Sequence, residues 1–279
     1  MLLAALPAAA QLTTGSLFGT VQDPSGLAVA GASVILTHTG TGRQVEVNSN
    51  ERGDFVFNGV DPGRYVLAVS SAGFKRTERQ GIVVSSGDRL PLGVITLELG
   101  GVTEVVSVTA QGAFVQTRSA ERADVITPKQ VESLLIRGRN IVELVQLVPG
   151  VVLRSQPQEL SSSSNFNVMG NRHTTNNITI DGIPAADMGN GSQLKLTVSQ
   201  DAVAEVKIMA SNYQAEYGRM AGSNVVVVTK SGTKDFHGLA SYFKRHEQFN
   251  ANDFFNNMNG IERPRYRYNT WTYNVGGPI

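Results

Sequence analysis

The chain has 279 residues, a net charge of +1 and a charged fraction of 17%, a length that suggests about two domains. Its Lys and Arg are scattered without a basic run, so nothing electrostatic argues for nucleic acid. Cysteine is absent, which excludes disulfides, thiolate zinc sites, iron–sulfur clusters and a Cys nucleophile. The 29 Gly, together with many Val and Thr, lean towards short strands and turns, and the expected class is mainly β.

Residues 1–10 are apolar and too short to span a bilayer as a helix. Ala8 and Ala10 supply a small-x-small cleavage pattern, so the segment reads as a signal-peptide remnant without its basic start, with Gln11 first after export.

Residues 15–99 break into short alternating runs separated by turn signals, the rhythm of a β-sandwich. Leu17, Gly19 and Val21 share a face before Asp23-Pro24-Ser25-Gly26. Val34 and Leu36 pair likewise, then Phe55 and Phe57 after Arg52-Gly53-Asp54. Tyr65, Leu67 and Val69 come next, and Ile95, Leu97 and Leu99 close the set. Six or seven strands bury one core, enough for an independent domain of about 85 residues. Gly19–Gly26, Ala30–Val34, Asn50–Phe55 and Pro62–Tyr65 resemble the carboxypeptidase regulatory-like domain, which implies an immunoglobulin-like or prealbumin-like sandwich. A carbohydrate-binding or adhesive module is the competing reading, with Tyr65 and Phe74 as its few stacking platforms.

Residues 100–120 read as a linker. Gly100-Gly101 and Gln111-Gly112 frame a β-prone run suited to lend its backbone to a partner's sheet edge. The same frame predicts a mobile tether between a sandwich that folds alone and the domain that begins near residue 121.

Residues 121–233 read as mixed α and β. Thr127 caps a helix with Pro128 first and Val131, Leu134 and Leu135 as its apolar stripe. Asn140 caps a second, with Ile141, Leu144, Val145 and Val148 inward, ended by Pro149-Gly150. Strands are expected at Ile178–Ile180, Glu205–Met209 and Ser223–Thr229. Arg137–Ile141, Leu147–Val151, Met169–Arg172, Ile180–Ile183, Ala204–Lys207, Ala215–Gly218 and Val228–Thr233 resemble, in order, the plug of TonB-dependent outer-membrane receptors. That resemblance implies that Thr103, Glu104, Val105, Val106, Ser107, Val108, Thr109 and Ala110 form a TonB box; a last sandwich strand or plain linker is the alternative. It also implies TonB as partner, the outer membrane as location, and energy-coupled uptake or export of a large solute such as a carbohydrate or peptide. The plug and sandwich would face the barrel lumen and periplasm. Polar loops carry recognition, so Asn165, Asn167, Asp187, Asn190 and Gln193 are the candidate ligand-facing residues.

Residues 234–279 read as the truncated start of a transmembrane β-barrel, resembling the Oar-like branch of those receptors. In Asn269–Val275, Trp271, Tyr273 and Val275 alternate with Thr270, Thr272 and Asn274, which suits a strand with lipid outside and water inside. A spanning strand takes about 9–11 residues, so about two fit. His38, His173, His237 and His246 have no partner at metal-ligand spacing, no nucleophile elbow or His-Glu-x-x-His pair occurs, and neither an enzyme nor a cofactor is expected.

Overall fold

Side-chain local bonding sets the turns of the first domain. In the computed structural model, the residues described are 13–101, 105–109, 119–134, 136, 139–153, 166–187, 196, 198–218 and 221–278. The Asp23 carboxylate accepts the N–H groups of Ser25 and Leu27, both at 2.9 Å. The Asn50 side chain does the same for Arg52 and Asp54. These Asx turns reverse the chain after β1 (Gly15–Gln22) and before β4 (Asp54–Val60). Between them run β2 (Ser33–His38) and β3 (Gln44–Asn48); after them come β5 (Gly63–Ser70), β6 (Arg76–Val84) and β7 (Arg89–Thr96).

One sheet has the order β4-β1-β7, and the facing sheet runs β3-β2-β5-β6. Leu17, Val21, Val34, Leu36, Phe55, Phe57, Tyr65, Leu67 and Val69 all lie in the core between them. Leu99 departs from expectation: it is 70% exposed. β7 ends at Thr96, after which Leu97 bonds back to Gln22 while Glu98 accepts from Lys75. The chain is crossing between sheets there, so the alternation of a single strand no longer holds. The five-stranded sheet also continues past residue 99, because β8 (Val105–Thr109) pairs parallel with β6.

The second domain has β9 (Arg122–Ile126), α1 (Pro128–Ser133), a 3-10 helix at Ile141–Leu147, and a small hairpin of β10 (Val151–Leu153) and β11 (Phe166–Val168). Then come β12 (Asn177–Ile180), β13 (Ile183–Pro184), β14 (Val203–Ser211) and β15 (Asn224–Thr229), in one sheet of order β13-β12-β15-β14-β9. Thr127 and Gln130 close a capping box on α1. A helix this short is not stable by itself; Val131 is fully buried, and the Gln200 side-chain amide donates to the carbonyls of Val131 and Leu134. Asn140 caps the second helix as expected, but its bonds run from residue i+3, as in Glu143 to Asn140 and Val148 to Val145. Tighter winding lets Ile141, Val142, Leu144, Val145 and Val148 all reach the core.

β16 (His237–Arg245) and β17 (Tyr268–Gly276) form a nine-pair antiparallel hairpin from His237↔Gly276 to Arg245↔Tyr268, joined by a long connection that holds α2 (Phe254–Met258).

Candidate functional site

Three junctions join the parts of the chain, and the first is the linker strand. Val105–Thr109, inside the expected TonB box, pair with Arg76–Gln80 in the register Arg76↔Val105 to Gln80↔Thr109. β8 ends the sheet, and among the described residues no strand pairs with its other side. Thr103, Glu104 and Ala110 lie outside the described residues. The run is therefore the last strand of the sandwich sheet among the described residues.

The second junction ties the sandwich to the plug-like domain. Along β14, Val206 and Ile208 face the core, so Glu205 and Lys207 face the opposite side. There they meet the β6–β7 turn. The Ser86 N–H donates to Glu205 Oε1 at 2.7 Å, and Lys207 Nζ donates to the Ser86 carbonyl at 2.9 Å. Lys207 also pairs with Asp88 at 3.3 Å and with Glu121, in the approach to β9, at 2.9 Å. Lys207 is 1% exposed, so it is a buried cation held by groups from two separate stretches of chain, the β6–β7 turn and the approach to β9. Burial raises the Glu205 carboxyl above its usual range, opposed by the Ser86 N–H. Burial also pushes Tyr217 up to about 12. The Tyr217 hydroxyl sits where a Cβ on Gly87 would lie, and Gly87 has φ +68, so only glycine suits that turn. At the rim Arg89 donates to Gln214 at 2.6 Å, and the Lys234 N–H reaches the Gly40 carbonyl at 3.1 Å. The expected tether is thus replaced, over its described part, by a strand added to the sandwich and a docked face. Sequence reasoning missed Lys207 as a contact because its partners lie far away in the chain.

The third junction seats the hairpin. Ser241 donates to Asp201 at 2.9 Å, Asn274 reaches the Asp201 carbonyl, and the hydroxyls of Ser199 and Thr272 meet at 3.2 Å. Arg139 pairs with Asp201 and lies 4.0 Å over the Phe243 ring. On the other face Trp271, Tyr273 and Val275 are exposed by 72%, 84% and 84%. In β17 the polar Thr272 and Asn274 meet the plug while Trp271, Tyr273 and Val275 look outward, as the alternation required; in β16 Phe243 shares the plug-facing side with Ser241.

The expected ligand-facing residues divide. Asn165, Asn190 and Gln193 lie outside the described residues. Asn167 sits in β11 and donates to the Asn171 carbonyl at 2.8 Å; Asp187 lies just beyond β13, half-buried. The Asp181 carboxylate is engaged by the Thr229 N–H and hydroxyl. Tyr65 is buried with its hydroxyl on the Asp61 carbonyl, and Phe74 packs against the core, so neither offers a sugar platform.

Three family models match successive parts of the chain. Residues 16–98 match the carboxypeptidase regulatory-like domain, 116–225 the TonB-dependent receptor plug domain, and 228–279 an outer membrane beta barrel domain. The three matches follow one another in the order sandwich, plug and barrel strands, an order similar to that of TonB-dependent outer-membrane receptors, and they support a location in the outer membrane. Over 244 residues it is 27% identical to the TonB-dependent transporter Oar of Myxococcus xanthus, covering 82% of this chain and 22% of that relative. The chain therefore spans under a quarter of the length of this curated relative. Similar solved structures include the siderophore receptor PirA from Acinetobacter baumannii, at 22% identity and TM-score 0.41, covering 56% of this chain and 22% of that one. The outer membrane transporter YddB from Escherichia coli is 19% identical with TM-score 0.40, covering 55% and 23%.

Proposed function

We propose that this chain provides the plug, the TonB contact and the first strands of an energy-coupled outer-membrane transporter that moves a large solute, a carbohydrate or a peptide, inward or outward. The observation that carries this reading is the position of β8: a short strand at the end of its sheet among the described residues, lying in the chain between the sandwich and a plug-like domain that seats the β16–β17 hairpin. A pull on residues 103–110 reaches the plug through Glu121, which holds Lys207 of β14. Asn165, Asn167, Asp187, Asn190 and Gln193 are assigned to the solute-facing side.

Site-directed crosslinking to a TonB C-terminal domain tests the contact. Val106→Pro should abolish the crosslink, because proline removes a backbone donor and does not fit a paired position in an added strand. Val106→Ala should weaken it less, since added strands bind mainly through their main chain. Crosslinking that persists unchanged in the proline variant places the contact elsewhere.

A further inference from the structure

We propose that the connection between β16 and β17 is a binding site for a neutral saccharide, formed by the side chains of Gln248, Asn257, Ile261 and Glu262. It rests on the transporter reading above only for the side of the membrane it faces, and it narrows the solute class of that reading to one.

The walls of the site are fixed by bonds within the connection. Arg263 Nη1 donates to the carbonyls of Glu247, Gln248 and Asn250 at 2.9, 3.4 and 2.6 Å. The Asn252 amide donates to the Ile261 carbonyl at 2.9 Å and to Asn257 Oδ1 at 3.1 Å. At the base, the Glu247 carboxylate accepts from Arg267 at 2.7 Å and from the Tyr266 N–H at 3.3 Å, while Arg245 lies 4.2 Å over the buried Tyr266 ring. These bonds enclose an open hollow of about 520 Å³, within the size range of small-molecule sites. Other groups lining it are unspent: among the described residues the Gln248 and Glu262 side chains and the Asn257 NH₂ make no hydrogen bond.

The occupant follows from what the walls have used up. Arg267 is committed to Glu247, and Arg263 spends Nη1 on three carbonyls, so no cluster of free cations faces an anion. Those capped carbonyls are also lost to an extended peptide, which binds through a row of main-chain partners. Among the described residues no group of three His, Asp or Glu could hold a metal ion. The unspent amides both donate and accept, and the carboxylate accepts from paired hydroxyls. Apolar surface lies beside them: Ile261 is exposed in the hollow, and Phe254, exposed on α2, shares a helix face with Asn257 three residues later. A sugar ring has hydroxyls around its rim and C–H groups on its faces, and it uses both kinds of surface.

The hairpin sets the position. Its open end, His237↔Gly276, lies by the sandwich, where the Lys234 N–H meets the Gly40 carbonyl. The hollow follows the other end, Arg245↔Tyr268, about 27 Å away at about 3.4 Å per residue. Strands of that length cross the apolar layer, so the hollow and the sandwich lie on opposite sides of it, and with the sandwich periplasmic the hollow faces outside.

Saturation-transfer NMR on the full chain in detergent micelles tests the site, with maltose, cellobiose and N,N′-diacetylchitobiose as probes. At least one should bind. Combining Gln248→Ala with Glu262→Ala should weaken that binding at least ~10-fold, because sugar hydroxyls are left without partners. Neither side chain bears a wall bond, so hydrogen exchange across residues 247–263 should stay unchanged. Binding that is not weakened in the double variant puts the sugar elsewhere and overturns the proposal. Inorganic phosphate or trialanine bound as tightly as the sugars, and lost in the same variant, overturns the saccharide class. If no sugar binds while the chain still crosslinks to TonB, the proposal falls and the transporter reading stands. Sugar binding that depends on Gln248 and Glu262 in a chain that does not crosslink supports the site and counts against the transporter reading alone.

Discussion

Lys207 shows how much one residue carries at the sandwich–plug junction. Its ammonium is buried among the Ser86 carbonyl, Asp88 and Glu121, and removing one member of a buried ion cluster costs about 3–5 kcal/mol because the opposite charges remain without compensation. Lys207→Met should destabilise the sandwich–plug unit by that order in urea unfolding, and adding Glu121→Gln should recover part of the loss. Equal stability of the single and double variants would show that the cluster does not act as a unit. Glu205 adds a pH dependence. Its carboxyl is raised above the usual 4.5 by burial, so the protonated form suits the folded state. That contribution is complete below about 4.5 and is lost as pH rises through the raised folded value. Between mildly acidic and neutral pH, wild type should therefore lose stability relative to Glu205→Gln, which leaves the Ser86 N–H an acceptor. Thermal unfolding at stepped pH reads this, with Asp88, Glu121 and Lys207 as the neighbouring charges; parallel curves for the two proteins would show that Glu205 titrates normally.

At the scale of elements, α1 depends on its cap more than on its length. Thr127→Ala breaks the capping box and should cost about 1 kcal/mol in urea unfolding, with Thr127→Ser nearly neutral. This helix was legible in sequence because Thr127, Pro128 and Gln130 are local signals. The Asp23 and Asn50 turns and the inward faces of β1, β2, β4 and β5 were legible for the same reason. β6 was not: it starts with Arg76, Glu78 and Arg79, and at Gly81, φ +78, the register with β5 slips, so Thr77 and Ile82, both buried, fall on different phases of a period of two. The helix at Ile141–Leu147 kept its cap but changed its winding, since a window of apolar residues does not distinguish i+3 from i+4 bonding. The β-prone character of Val105–Thr109 was legible and its attachment to β6 was not, because parallel pairing across a connection of this length leaves no local mark. Likewise nothing near Lys207 in sequence announces Asp88 and Glu121.

For the whole molecule, the hairpin decides how a polypeptide of these 279 residues behaves. Inside a bilayer every backbone N–H and C=O must be paired, so strands span only as closed barrels. β16 and β17 pair with each other alone among the described residues, leaving two open edges at several kcal/mol per unpaired group. Many copies would have to close a barrel together, and the plug already seated on each hairpin through Asp201, Ser241 and Thr272 would occupy the lumen. This polypeptide should give no reproducible unitary conductance in planar bilayers; such conductance would show that the hairpin assembles in a way strand pairing does not anticipate. In water the same hairpin presents Trp271, Tyr273 and Val275 together with Phe249, Phe254 and Phe255 as exposed apolar surface, and patches of that kind drive association. Removing residues 235–279 uncovers the polar seat of Ser199, Asp201 and Arg139, which water solvates readily. The shortened protein should be monomeric by light scattering at concentrations where the full polypeptide associates, with its sandwich and plug still docked through Lys207. Equal association of both forms would move the sticky surface to the sandwich or plug, with β8, last in its sheet among the described residues, the first place to look.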